Sequence, residues 1–191
     1  KEPIKNISIV STKSFDVEHV RESQLNISAH TGTHIDAPAH FMEHGNTIDK
    51  NDLQSTIGYC KVLDFTNIKT AIEEKDLVSH NIEKDDIILL KTKNSSLSPT
   101  EPFNPNFIYL EKSGAEYLVK QKAKCVGIDY LGIERGQPNH ETHKILLLHN
   151  IIIIEGLRLG GVEPSSYKLF CLPINLIGTE AAPARAILIQ E

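Results

Sequence analysis

The sequence predicts a domain of the α/β or mixed α+β class. Short runs of β-branched residues are typical of strands, and helix-forming segments alternate with them after residue 60. The composition agrees, since 40% of the 191 residues are apolar and 24% are charged. A chain of this length fits one domain with one buried core, and we predict a single domain over residues 1–191.

Six segments carry the strand pattern, and each is short and bounded by polar or turn-forming residues. They cover residues 7–10, 61–65, 87–91, 125–128, 151–154 and 186–189. The most apolar of them is a run of four isoleucines between His149 and Glu155. This composition indicates a strand buried within the domain.

Helices are predicted for three segments that lie between these strands. Residues 114–122 (GAEYLVKQK) are good helix formers, residues 142–149 (THKILLLH) open with Thr142 as a cap, and residues 70–76 form the third helix. Residues 94–106 (NSSLSPTEPFNPN) are rich in Ser, Pro and Asn and predict a long surface loop.

Charge and cysteine content exclude several classes of partner. The net charge is −5 and no basic run exceeds two residues, so nucleic acid is not expected as a partner. No apolar stretch approaches the roughly 20 residues of a membrane span, and no secretory segment opens the chain.

Three widely spaced cysteines predict buried thiols in a reducing cytoplasm. Because Lys1 is not Met and a strand follows closely, we expect a segment ahead of it.

The densest group of chemically active side chains lies in residues 27–41, ISAHTGTHIDAPAHF. Gly32 and Pro38 make a helix costly here, so an extended or turning backbone is expected. In an extended chain His30, His34 and Asp36 share one face, and Gly32 leaves room between them for an ion. Two imidazoles and a carboxylate suit Zn²⁺ or Mn²⁺. The alternative is a polar turn whose histidines hydrogen-bond locally.

Further ligands are expected from residues 140–157, HETHKILLLHNIIIIEGL. Glu155 ends the isoleucine run, and a carboxylate at the end of a buried strand is costly unless a cation accompanies it. His143 lies near the start of the predicted helix, and His140 is an alternative one helical turn away. Asp129 follows another predicted strand and either lines the same pocket or caps a turn.

The motif HTGTHIDAPAHF resembles the H-x-G-T-H-x-D-x-P-x-H-F signature of the cyclase family of metal-dependent hydrolases, and every fixed position is present. That family includes bacterial kynurenine formamidases and isatin hydrolases. The later IIEGL, LP and PARAIL segments are also similar to the family, so the resemblance covers most of the chain. It implies a swivelling β/β/α domain, usually assembled as a homodimer or homotetramer.

The resemblance also implies roles for particular residues. His30, His34, Asp36, His143 and Glu155 would bind one or two divalent ions per chain, with Zn²⁺ or Mn²⁺ as the metal. His40 would act as general acid/base, and its place beyond Pro38 agrees with a position beside the metal and not on it.

The implied reaction is hydrolysis of a small amide, formamide or lactam by a metal-activated water. The sequence leaves two alternatives open, a non-catalytic metal-binding protein of the same fold and a metal-dependent lyase or cyclase. Kynurenine formamidases of this type carry an N-terminal tryptophan against the substrate, whereas this chain has no tryptophan. The sequence therefore predicts a small-molecule substrate without identifying it.

Overall fold

The computed structural model describes residues 7–98 and 101–190. In chain order its strands are β1 (Ser8–Lys13), β2 (Glu22–Asn26), β3 (His34–Asp36), β4 (Ile57–Asp64), β5 (Ala71–Ile72), β6 (Ile87–Lys91), β7 (Tyr109–Leu110), β8 (Cys125–Ile128), β9 (Ile152–Glu155), β10 (Ser166–Pro173) and β11 (Ala181–Ile189). Its α-helices are α1 (Phe15–Glu18), α2 (Glu74–Leu77), α3 (Lys112–Gln121) and α4 (Glu141–Leu148).

Seven of these strands close into a barrel in the order β10-β11-β3-β9-β8-β6-β4. Neighbours among β4, β6, β8 and β9 run parallel, because a helix-containing crossover joins each of these strands to the next. The pairs β9–β3, β3–β11, β11–β10 and β10–β4 are antiparallel. This mixed sheet with helices confirms the predicted α/β class.

Alternation along the barrel strands separates two apolar cores. Side chains from all seven strands, including Ile35, Leu89 and Leu169, form the cluster inside the barrel. The opposite faces of the parallel strands, including Ile88 and Ile153, pack against the helices. The outer face of β9 is therefore covered and not open to water.

The same alternation places the polar residues of β3 and β9 on the outer face, beside the helices. Ile35 and Ile154 point into the barrel, so His34, Asp36 and Glu155 project the other way. In the antiparallel β3–β9 ladder His34 lies directly opposite Glu155. A slip of one residue would turn these side chains into the apolar interior.

Several predicted elements are confirmed. The predicted strands 87–91 and 125–128 coincide with β6 and β8. The predicted helix 114–122 begins earlier, at Lys112, because the Glu111 carboxylate accepts a hydrogen bond from the Ser113 amide. The prediction of Thr142 as a helix cap is wrong, since Thr142 lies inside α4 and its hydroxyl donates to the Leu110 carbonyl at 3.0 Å.

Other predictions need correction. β10 was not predicted, and β4 begins four residues before the predicted start at residue 61, because pairing with β10 extends it. Residues 70–76 do not form one helix, since β5 precedes the short helix α2. The predicted loop 94–106 opens with a 3₁₀ turn over Lys93–Ser96, and its residues 99–100 lie outside the described residues.

β1 and β2 form a hairpin that belongs to neither core. Every residue of the two strands is exposed except Ser8, which is half-buried. The exposed side chains of this region include Ile9, Val10, Phe15, Val17 and Leu25. The homodimer or homotetramer stays a prediction.

The prediction of buried thiols is confirmed for Cys60, Cys125 and Cys171, and the reducing cytoplasm stays a prediction. Within the described ranges, no helix has both the length and the apolar character needed to cross a bilayer.

Candidate metal centre

Asp36 lies at the middle of the predicted cluster and is fully buried. Its Oδ1 is 3.1 Å from His30 Nδ1 and 3.5 Å from His34 Nε2. Its Oδ2 is 3.6 Å from His143 Nε2. The structure thus gathers three of the predicted histidines around one carboxylate.

Glu155 forms the other side of this centre. Its Oε2 lies 3.4 Å from His34 Nε2, and its Oε1 lies 3.2 Å from His143 Nε2. The Ile133 amide donates to the same Oε1 at 2.6 Å. The five predicted metal-binding residues are therefore one connected group on the outer face of the barrel, next to α4.

Backbone contacts fix the turn that carries His30 to His34. Gly156 adopts φ +71°, and a Cβ there would lie 2.3 Å from the Gly32 carbonyl oxygen, so only glycine fits. The Thr33 hydroxyl donates to the Gly156 carbonyl at 2.8 Å, and His34 Nδ1 lies 2.9 Å from the Gly32 oxygen.

The prediction that Gly32 leaves room for an ion is wrong. A Cβ at Gly32 would meet nothing within 4 Å, so a side chain there would point into open space and would not fill the centre. The residue is exposed and adopts φ +63°. The extended backbone begins only at His34, so alternation explains the shared face of His34 and Asp36 but not the place of His30. Gly32 serves the turn and the carbonyl contact to His34.

His40 ends the 3₁₀ turn Pro38–His40, which follows β3. Its ring centroid lies 4.4 Å from that of His30, 5.7 Å from that of His143 and 4.2 Å from that of Phe41. Candidate ligand atoms of His30, Asp36 and His40 lie within 4.8 Å of one another, as do those of His34, Asp36 and Glu155. Asp36 is common to both groups.

Burial lowers the pKa of His40 to about 4, against the opposing effect of the Asp36 charge. At neutral pH His40 is therefore an uncharged imidazole that can accept a proton. Its pKa is lower than the value near working pH that is ideal for a general acid/base.

Three atoms on the inner side of the centre, His34 Nε2 and both carboxylate oxygens of Asp36, are buried without a hydrogen-bond partner, as is His143 Nδ1 on the side of Glu134. Unpartnered buried polar atoms are costly, and a charged carboxylate is the costliest case. A divalent cation would satisfy all three at once, which is the expected chemistry of an imidazole–carboxylate donor set.

The charges of the centre are strongly coupled. Burial alone would lower the pKa of His143, but contacts with Asp36, Glu134 and Glu155 raise it well above the ordinary value. Burial likewise opposes ionisation of Glu155, yet His143 and His34 hold its pKa well below the usual range. Without a metal, the centre is an ion-pair network of histidines and carboxylates.

Two carboxylates that the sequence did not indicate extend this network. Glu134 Oε2 lies 3.1 Å from His143 Nδ1, and Glu180 Oε1 lies 3.2 Å from His30 Nε2. Both acids lie outside the motifs, so neither spacing nor periodicity marks them. His140 also contacts Glu134 but is largely exposed, and His143 is the residue that faces Asp36 and Glu155.

Asp129 is not part of the centre. Its carboxylate accepts hydrogen bonds from the amide and hydroxyl groups of Thr92 and Ser95, at 2.7–3.3 Å. Of its two predicted roles, turn capping is the one that the structure shows.

The chain is similar to known proteins over most of its length. The model of the Cyclase family matches residues 3–135, which include the whole HTGTHIDAPAHF motif. The chain belongs to the Cyclase family. Cyclase-like protein 1 of Arabidopsis thaliana is 34% identical over 179 residues, covering 88% of this chain and 69% of the relative. A kynurenine formamidase of Bacillus cereus is 31% identical over 170 residues, covering 88% and 80%.

A solved structure of the same family shows the same architecture. It is described as a potential metal-dependent hydrolase with cyclase activity, and it is 40% identical to this cyclase-family chain. The TM-score is 0.86, over 94% of this chain and 85% of the other. The family resemblance predicted from the motif is confirmed.

Proposed function

We propose that this cyclase-family chain is a metal-dependent hydrolase that cleaves the C–N bond of a small amide, formamide or lactam. One observation carries the proposal: the unpartnered buried atoms of His34 and Asp36 converge with Glu155 and His143 on one point. The ion pairs that Asp36 and Glu155 form are all with histidines. Metal ligation requires these imidazoles to be neutral, so the two carboxylates would then carry an unbalanced negative charge that a divalent cation fits.

His30, His34, Asp36, His143 and Glu155 would hold one or two ions, with Asp36 shared between the two groups of donors. Zn²⁺ is the favoured ion, because imidazole and carboxylate oxygen are its usual non-thiolate ligands, and Mn²⁺ is the alternative. A bound ion would polarise the substrate carbonyl and lower the pKa of water.

His40 supplies the proton transfer in this proposal. Its uncharged ring lies next to His30 and His143, close to where water and substrate would meet. It accepts a proton from the attacking water and returns it to the leaving nitrogen as the C–N bond breaks. The water oxygen ends in the new carboxylate, so atoms and protons balance without a redox partner.

A panel of amides tests this function. We expect the Zn²⁺- or Mn²⁺-loaded protein to hydrolyse at least one N-formyl aromatic amine, isatin-like lactam or small cyclic imide. In H₂¹⁸O the product carboxylate should gain one ¹⁸O, which a lyase or cyclase product would lack. Asp36→Asn is the control, because it keeps the side-chain shape and removes the central charge. Metal binding without turnover above this control would favour the non-catalytic metal-binding protein.

Metal binding is also expected to release protons. His143 has a pKa raised well above 6.5 and that of His34 is also raised, while metal ligation requires the neutral imidazole. Near pH 6.5, Zn²⁺ should displace about one to two protons per ion, and its affinity should rise with pH. Titration calorimetry in two buffers of different ionisation enthalpy measures this number. Binding without proton release would show that these histidines are not ligands.

A further inference from the structure

We propose that Glu134 is a positioning residue that holds the His143 ring so that Nε2, and not Nδ1, faces the metal. This inference rests on the proposed metal-dependent function. Among the hydrogen bonds and ion pairs of the described residues, Glu134 pairs with His143 and with none of the other four proposed ligands, and it is buried at the start of α4.

Glu134 contacts His143 at two points. Its Oε2 accepts a hydrogen bond from the His143 amide at 3.2 Å and lies 3.1 Å from the ring Nδ1. The ring contact is a close ion pair and not a linear hydrogen bond. The other carboxylate oxygen, Oε1, contacts His140 Nδ1. A main-chain and a side-chain contact to one residue restrict both its backbone and its ring.

The segment that carries Glu134 is itself fixed on both sides. The Ile133 carbonyl accepts from the Leu110 amide at 2.8 Å, and the Arg135 guanidinium donates to the Phe107 carbonyl at 2.7 Å. The Ile133 amide also donates to Glu155. Glu134 therefore approaches His143 from a rigid segment that also touches the opposite ligand, Glu155.

Each proposed histidine ligand has an acceptor at the nitrogen turned away from the carboxylate centre. His34 Nδ1 lies 2.9 Å from the Gly32 oxygen, His143 Nδ1 lies near Glu134, and His30 Nε2 lies 3.2 Å from Glu180. Such outer acceptors fix the tautomer and the ring orientation of metal-bound histidines. Glu180 has a side chain 44% exposed, whereas that of Glu134 is 5% exposed, so Glu134 should act more strongly.

The test measures Zn²⁺ affinity by competition with a chelator. Glu134→Ala should weaken binding by about 10–100-fold. Glu134→Gln keeps an oxygen that can accept a hydrogen bond from His143. Its Zn²⁺ affinity should therefore lie between that of Glu134→Ala and that of the wild type. Glu141→Ala is the matched control, because Glu141 begins the same helix but pairs with Lys112 at 3.0 Å. It should bind Zn²⁺ like wild type.

A second readout does not depend on how well the variants fold. In the ¹⁵N NMR spectrum of the zinc-loaded wild type, His143 should carry its proton on Nδ1. A proton on Nε2 would overturn the proposal, as would wild-type affinity in folded Glu134→Ala. Loss of one ion per chain in both Glu134→Ala and His140→Ala would show that Glu134 is itself a ligand. A wild type that binds no metal would refute the proposed function, and the role of Glu134 with it.

Discussion

Replacement of His40 by alanine is expected to leave the metal bound and to lower kcat by about 10²–10⁴-fold, the usual contribution of a general acid/base. The metal should stay bound because the proposed ligands contact one another without His40. These ligands are Asp36, Glu155, His34 and His143. The measurement combines steady-state kinetics on the best substrate with the metal content per chain. KM should change much less than kcat, because a proton-transfer group contributes mainly in the transition state.

His44→Ala is the matched control, since His44 is exposed and lies four positions beyond His40 in the same loop. It should keep both metal and turnover. The result to watch is the ion count of His40→Ala, because His40 also lies within ligand distance of His30 and Asp36. Loss of an ion would make His40 a ligand and would leave the chain without an assigned base.

Glu155→Ala is expected to have the second large effect, on both metal binding and stability. Glu155 is 1% exposed and is the shared partner of His34 and His143, so its removal leaves His34 paired with Asp36 alone and takes one of three carboxylates away from His143. Breaking one partner of a buried ion pair costs about 3–5 kcal/mol. For a chain of this size the metal-free protein should melt roughly 6–20 °C lower. Elemental analysis should also show loss of at least one ion per chain.

The free energy of unfolding of the metal-free wild type should depend on pH, because the pKa values of Glu155 and His143 are shifted in the folded protein. The Glu155 pKa is lowered, so its contribution is complete above about 4.5 and is lost as the pH falls towards the folded-state pKa. The His143 pKa is raised, so its contribution is complete below about 6.5 and is lost as the pH rises through the folded-state pKa. The pair should therefore stabilise the protein most between about pH 4.5 and 6.5, and Glu155→Ala should lower this maximum while Asp36 and Glu134 keep part of it.

Glu163→Ala is the control for both measurements, because Glu163 is exposed and its carbonyl oxygen, not its carboxylate, accepts from Tyr167. It should leave the melting temperature and its pH profile unchanged. A Glu155→Ala protein with wild-type metal content and melting temperature would exclude Glu155 as a ligand.

Much of the centre is predictable from sequence, because four of its six predicted residues are close together in the chain. His30, His34, Asp36 and His40 lie within one motif, and the cost of burying a carboxylate at the end of an apolar strand is enough to single out Glu155. Only the family resemblance favours His143 over His140 as a metal ligand. Both are histidines, and they are separated by about one helical turn. The structure separates them by their partners, because His143 faces Asp36 and Glu155 whereas the largely exposed His140 contacts Glu134.

The parts that sequence reasoning missed depend on distant contacts. β3 is three residues long, too short for a period-two pattern, and becomes a strand because β9 and β11 lie on either side of it. β10 does alternate, with Tyr167, Leu169 and Cys171 buried, and this pattern could have been found. Glu180 reaches His30 only through the pairing of β3 with β11, whereas Glu134 lies nine residues before His143 in the β8–β9 connection and no sequence pattern marks it.

The pairing of His34 with Glu155 has a consequence for folding kinetics. The two parts of the centre come from opposite halves of the chain, and they meet only when β3 inserts between β9 and β11 and the barrel closes. Contacts so distant in sequence form late, because the entropy of closing the loop is lost before they contribute. An ion that needs both halves cannot bind an open chain tightly. It should therefore slow unfolding of the barrel while leaving the rate of folding nearly unchanged.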